Sequence, residues 1–205
     1  MKKLMLSLLP LLLVLKIKAQ EVKNTRYFDV DNKEISQQVF KDKRATNTVL
    51  DIPGDSSNHH KLINREQQGK ISNRKELISL LEYAAHEKIN PSQQILIIYY
   101  PGKDACNTGG DVKFLISNLK EIEKGVDRIA STKTFYIYKD KEGLERYDNA
   151  IPWIKDPEQI VEKLFFKYHY PCNSFTVISK TGKYISYFGE FYKDLVLEAS
   201  KKLRK

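Results

Sequence analysis

No apolar run in this chain reaches the roughly 20 residues that a bilayer-spanning helix needs. The longest, Leu4 to Leu15, is interrupted by Ser7 and Pro10 and stopped by Lys16 and Lys18. The 205 residues hold only two cysteines, Cys106 and Cys172, and four histidines. His59-His60 and His86 follow no recognised ligand spacing, so no metal or cofactor site is expected of them. Although Lys and Arg outnumber Asp and Glu by 35 to 26, no basic stripe is interleaved with stacking aromatics, which argues against a nucleic-acid partner. Internal repeats are absent too, which excludes solenoid and propeller architectures.

The short apolar run has a different meaning. Lys2 and Lys3 provide a positive start, Leu4 to Leu15 the apolar segment, and Ala19 a small residue for cleavage. This order is that of an export signal occupying residues 1–19. Its Ala19-Gln20 ending resembles signals of the Bacteroidetes group of bacteria. Since no cysteine lies near that point, a lipid-anchored product is not expected. Cleavage near Ala19 would take away four lysines and no acid, lowering the formal charge from +9 to +5. The expected product is a periplasmic or secreted domain with no integral membrane span, in a compartment whose redox poise permits a disulfide.

Residues 20–46 are largely polar with scattered anchors such as Tyr27, Phe28 and Phe40, and read as an extension or short hairpin. A strand is predicted from Thr48 to Ile52, then a polar surface loop from Asp55 to Ser72. Asn73 caps a predicted helix in which Leu77, Leu80, Leu81, Ala84 and Ala85 recur at helical spacing. Gln94 to Tyr100 is apolar on both faces, as a covered central strand should be, and an amphipathic helix is expected from about Gly110 to Lys124. Lys133 to Lys139 reads as a strand, and Asp156 with Pro157 opens another helix. Ser174 to Ser179 and Lys183 to Phe188 form a hairpin through Lys180-Thr181-Gly182, and a last helix from about Glu190 buries Phe191, Leu195 and Ala199. Helices between the early strands imply crossover connections, and the terminal hairpin adds antiparallel pairing.

That order resembles the thioredoxin fold, over roughly residues 47–203. The segment from Gln94 to Cys106 is similar to the strand and loop that deliver the family's first redox cysteine, and Tyr170 to Tyr184 to the strand-turn-strand after its active-site proline. The resemblance implies an α/β domain over 47–205, a central mixed sheet flanked by helices, with 20–46 as an N-terminal extension. The chemical signature is degenerate. Cys106-Asn107-Thr108-Gly109 puts Gly109 where the two-cysteine motif has its resolving thiol, and Pro171 is displaced from the position of the family's cis-proline. Tyr99-Tyr100-Pro101 also resembles, more weakly, the approach to the peroxiredoxin site. There a threonine three residues before the cysteine orients peroxide, and here that position is Lys103.

Several roles stay open for the two cysteines. Placed at a helix N-terminus as the resemblance implies, Cys106 would have a lowered pKa, with Lys103 adding positive field. Cys172 would then resolve the mixed disulfide, provided the alpha carbons come within roughly 4.4 to 6.8 Å. The same geometry would equally serve a permanent staple between two loops, and unpaired cysteines are the third possibility. His169, three residues before Cys172, could join Cys106 as a Cys/His pair or both cysteines as a metal site, against the plainer expectation of a surface histidine. Asp104, Asp111 and Asp140 are expected to solvate loops, cap helices and form turns. The expected function is that of an exported binding or structural protein with an envelope or secreted protein as partner. The alternative is thiol-disulfide exchange with Cys106 as nucleophile and Cys172 or an external thiol resolving.

Overall fold

A computed structural model describes residues 24–204. The expected export signal and its cleavage point lie outside those residues. The strands in chain order are β1 (Arg26–Phe28), β2 (Glu34–Ile35), β3 (Val49–Pro53), β4 (His59–Asn64), β5 (Glu66–Lys70), β6 (Gln94–Tyr100), β7 (Thr132–Tyr138), β8 (Trp153–Lys155), β9 (Ser174–Ile178) and β10 (Lys183–Tyr187). The helices are α1 (Gln37–Ala45), α2 (Arg74–Ala85), α3 (Val112–Ile129), α4 (Ile160–Phe165) and α5 (Lys193–Leu203).

Every residue of β6 is buried, and this strand organises the domain. Successive side chains of a strand point to opposite faces. Ile95, Ile97 and Tyr99 accordingly enter one core with Leu77, Leu81 and Phe165, while Leu96 and Ile98 enter another with Leu119, Val126 and Val196. Burying each such aliphatic side chain contributes about 1.5–3 kcal/mol. The first core lies under α2 and α4, the second under α3 and α5. In the second, Gly125 allows close approach of the two helices, since a Cβ there would lie 2.7 Å from Leu197 Cδ2.

The main sheet has the order β5-β10-β9-β6-β7-β8. β6 pairs parallel with β7 and antiparallel with β9, and β9 antiparallel with β10. A parallel crossover through α3 followed by a terminal hairpin and helix is the mixed α/β architecture implied by the thioredoxin resemblance. Edge strands β5 and β8 extend it on either side.

Local signals account for most boundaries. Asn73 Oδ1 accepts from the Glu76 amide at 3.2 Å and caps α2. Asp111 Oδ1 accepts from the Lys113 amide at 2.8 Å and caps α3, which runs on to Ile129, beyond the expected end. Asp156 receives the Val161 and Glu162 amides at 3.0 and 2.9 Å, across a single turn of tighter helix at Pro157–Gln159. The last helix starts at Lys193, later than expected, because Phe191 and Tyr192 lead into it as extended chain.

Residues 26–64 differ from expectation. β1 and β2 form the anticipated short hairpin, but β1 also pairs with β4, giving a second sheet of order β2-β1-β4-β3 around Phe40, Val49 and Leu62. The composition boundary at 46/47 thus falls inside this sheet. Much of the supposed Asp55–Ser72 loop is strand, because β4 is held from both sides and β5 pairs along the length of β10. Arg65 joins the two sheets. It is 1% exposed, donates to the carbonyls of Asn47, Phe188 and Glu190 and to Asn47 Oδ1, and has its guanidinium over the rings of Tyr170 and Tyr187.

Candidate functional site

The chain leaves the carboxyl end of β6 at Tyr100, the end where α/β sheets place their functional loops. Burial pushes the Tyr100 phenol up to about 12, and its hydroxyl donates to the Glu142 carbonyl at 2.7 Å. Tyr100 is therefore an anchor for the loop. Beyond Pro101, the loop folds on its own polar side chains. Asn107 Nδ2 donates to the Gly102 carbonyl at 2.7 Å, and Asn107 Oδ1 accepts from the Asp104 amide at 3.0 Å. From outside, Arg146 donates to the carbonyls of Asn107, Gly109 and Gly110 at 2.7, 2.9 and 2.9 Å.

Cys106 and Cys172 are joined by a disulfide, with alpha carbons 5.2 Å apart. It ties the loop after β6 to the loop before β9. Cys172 has φ +70°, a left-handed conformation uncommon outside glycine. Just ahead of it, the Tyr170 ring occupies the space beside Gly189, whose φ is +72° and whose absent Cβ would lie 2.0 Å from Tyr170 Cδ1. Asp104 links the two half-cystines. Its Oδ1 accepts from the amides of Cys106 and Asn107 at 2.8 and 2.9 Å, and its Oδ2 accepts from the amide of Cys172 at 3.0 Å.

The remaining expected site residues distribute unevenly. Gly109 borders the same cavity as the cysteines, but a Cβ there would meet nothing within 4 Å, so no packing demands glycine. Lys103 is turned to Glu142, with Nζ 3.1 Å from Oε1, and does not border that cavity. His169 and Pro101 border a different, very small cavity with Tyr99, Lys139 and Glu162, and Cys106 Sγ is bonded to Cys172, so the conjectured Cys/His pair does not form. Pro171 is exposed and, like every described residue, follows a trans peptide bond. The expectation for Cys106 itself also changes: it lies in a turn, and α3 begins only at Val112, with Asp111 as its cap. The helix dipole acts within its first turn, so it does not reach this sulfur in the way the resemblance implies. Among the described residues no three His, Cys, Asp or Glu side chains converge as metal ligands, and no helix is long and apolar enough to cross a membrane.

Beside the bridge lies a cavity of about 540 Å³ between the start of α3 and the approach to α5. Leu115, Tyr147 and Phe191 line it, and Phe114 and Tyr192 stand at it with 68% and 73% exposure. The larger cavity of about 790 Å³, between Tyr138 and Trp153, contains none of the expected site residues. Sequence reading missed Asp104, Arg146 and Asn107 as organisers of the loop, and Phe114 and Tyr192 as its apolar neighbours. Asp104-Ala105-Cys106-Asn107 does carry a turn signal, an acidic side chain able to reach amides two and three residues on.

No known protein family matches the chain, and no curated protein does. Solved structures similar to it include a pneumococcal exposed lipoprotein thioredoxin from Streptococcus pneumoniae, with 13% identity and a TM-score of 0.38 over 60% of this chain and 90% of that one. The bacterioferritin comigratory protein of Xanthomonas campestris shows 16% identity and a TM-score of 0.38 over 54% and 78% of the respective chains. Peroxiredoxin Q of Xanthomonas campestris shows 20% identity and a TM-score of 0.37 over 56% and 81%.

Proposed function

We propose that this is an exported binding or structural protein built on a degenerate thioredoxin-like domain, with Cys106–Cys172 as a permanent staple. The observation that carries this reading is the shared carboxylate: Asp104 holds the backbone amides of both half-cystines. That negative group sits at the sulfurs' own backbones, whereas a reactive cysteine needs positive potential there. The face beside the staple, with Phe114 and Tyr192 exposed, is the surface offered to an envelope or secreted protein.

A second reading, thiol-disulfide exchange, has one observation in its favour: Cys106 is exposed, so an attacking thiolate can reach the bridge. Alkylation of the exported protein and an exchange assay separate the two. The staple predicts a fully oxidised pair and no catalytic turnover of a disulfide substrate. Turnover lost in C106S would instead identify Cys106 as a nucleophile. A photo-crosslinking side chain at Phe114 should give adducts with another envelope or secreted protein, and one at the exposed Tyr83 should not. Equal labelling at both positions counts against the proposed face.

A further inference from the structure

We infer that Asp104 is a positioning residue that sets the redox resistance of the Cys106–Cys172 bridge. This rests on the reading of the bridge as a staple and says what makes it permanent. One carboxylate spans two loops that are 66 residues apart in sequence at their cysteines. With Oδ1 on the Cys106 amide at 2.8 Å and Oδ2 on the Cys172 amide at 3.0 Å, it keeps the two backbones together without help from the sulfur–sulfur bond. An opened bridge therefore retains two closely held thiols, and closure competes well against any external reductant.

Asp104 acts a second way, on charge. Reduction by glutathione begins when one of its thiolates attacks Sγ of Cys106. The Sγ–Sγ bond breaks, and its electron pair leaves on Cys172 as a thiolate. A second glutathione thiolate attacks the mixed disulfide, releasing Cys106 as a thiolate and closing oxidised glutathione. Each protein thiolate then takes up a proton, so two glutathione thiols are oxidised as one protein disulfide is reduced. The two thiolates formed on the way belong to the two residues whose backbone N–H donors Asp104 engages, and an engaged donor is not free to stabilise a thiolate. Asp104 occupies both donors and adds a negative charge beside them. It holds the bridge closed and disfavours the thiolates through which the bridge must open.

The test is glutathione equilibrium on the whole exported chain, followed by quantitative alkylation, for wild type, Asp104→Asn and Asp104→Ala. Asp104→Asn keeps the shape, removes the charge and leaves one acceptor oxygen. It should reach half reduction at about a tenfold lower ratio of squared glutathione to its disulfide, equivalent to about 30 mV. Asp104→Ala should shift it further. The alkylation rate of the reduced variants should rise at a lower pH than in wild type. If both variants fold and keep the wild-type half-reduction point and pH profile, Asp104 only shapes the loop and the inference fails. Failure of the staple reading looks different: wild type itself would open at mild glutathione ratios or turn over substrate, whatever the variants do. Should Asp104→Ala not fold, Asp104→Asn decides alone.

Discussion

Replacing Cys106 and Cys172 together by serine tests how much the bridge constrains the chain. The bond closes a segment of 66 residues. In the chain-entropy description, a loop of that size restricts the unfolded ensemble by about 4 kcal/mol at room temperature. The folded side should change little, because Asp104 still joins the Cys106 loop to the Cys172 amide and Arg146 still holds it from outside, through hydrogen bonds that involve neither sulfur. For a domain of this size each kcal/mol moves the thermal midpoint by about 2–4 °C, so the double variant should melt about 10 °C below wild type. The assay is far-UV circular dichroism against temperature, paired with urea unfolding. The urea slope should also rise, because the uncrosslinked unfolded chain exposes more surface. A midpoint within about 2 °C of wild type, with an unchanged urea slope, would refute the reasoning.

Three further outcomes follow from the same structure. Arg65→Met should cost about 3 kcal/mol in urea unfolding, because it leaves the buried Phe188 carbonyl and the part-buried Asn47 and Glu190 carbonyls without this donor, and Arg65→Lys should recover only part of this since one ammonium cannot reproduce the fork. Gly189→Ala should destabilise by more than about 2 kcal/mol in the same experiment, since φ is +72° and the new methyl would overlap the Tyr170 ring. Burial raises the Tyr100 phenol to about 12 from its ordinary value of 10, so the fold favours its neutral form. The associated stability is intact below pH 10 and is lost as pH rises from 10 through about 12, which tyrosinate absorbance should report as ionisation coincident with unfolding.

The fold was legible where burial leaves a mark on composition. Ile95 to Ile98 show by uninterrupted apolarity that β6 is covered on both faces, and Phe175, Val177 and Ile178, with Thr176 between them, mark β9. Where backbone pairing alone defines an element, composition says little. β5 is Glu-Gln-Gln-Gly-Lys, with no apolar residue, and is a strand because its backbone pairs with β10 from Glu66↔Tyr187 to Lys70↔Lys183. α1 buries only Phe40, too little for a periodic pattern. At the site, residue type identified the two cysteines as candidates for pairing. Their shared ligand was illegible, because Asp104 reaches Cys106 locally but Cys172 only through tertiary folding, and its partners are amides that every residue possesses.

Charge placement around the bridge distinguishes a staple from an exchange site more sharply than the absence of a second cysteine beside Cys106 does. A thiolate here would need a cation or an uncommitted donor nearby. Arg146, the guanidinium that reaches this loop from outside, makes its hydrogen bonds to three carbonyls, and the Lys103 ammonium faces Glu142. His169 borders another cavity, and Lys193, at the edge of the cavity beside the bridge, is paired with Glu121 at 2.8 Å. The backbone amides of both half-cystines already donate to Asp104. Positive charge in this region thus fixes loop geometry, while negative charge fixes the half-cystines, the reverse of what lowers a thiol pKa. Placing a cysteine at Gly109 would not by itself create an exchange site, since Gly109 also precedes α3 and its carbonyl is held by Arg146. Gly109→Cys should leave turnover at the level of wild type, and only combination with Asp104→Asn, which frees a backbone donor and removes the opposing charge, should raise it.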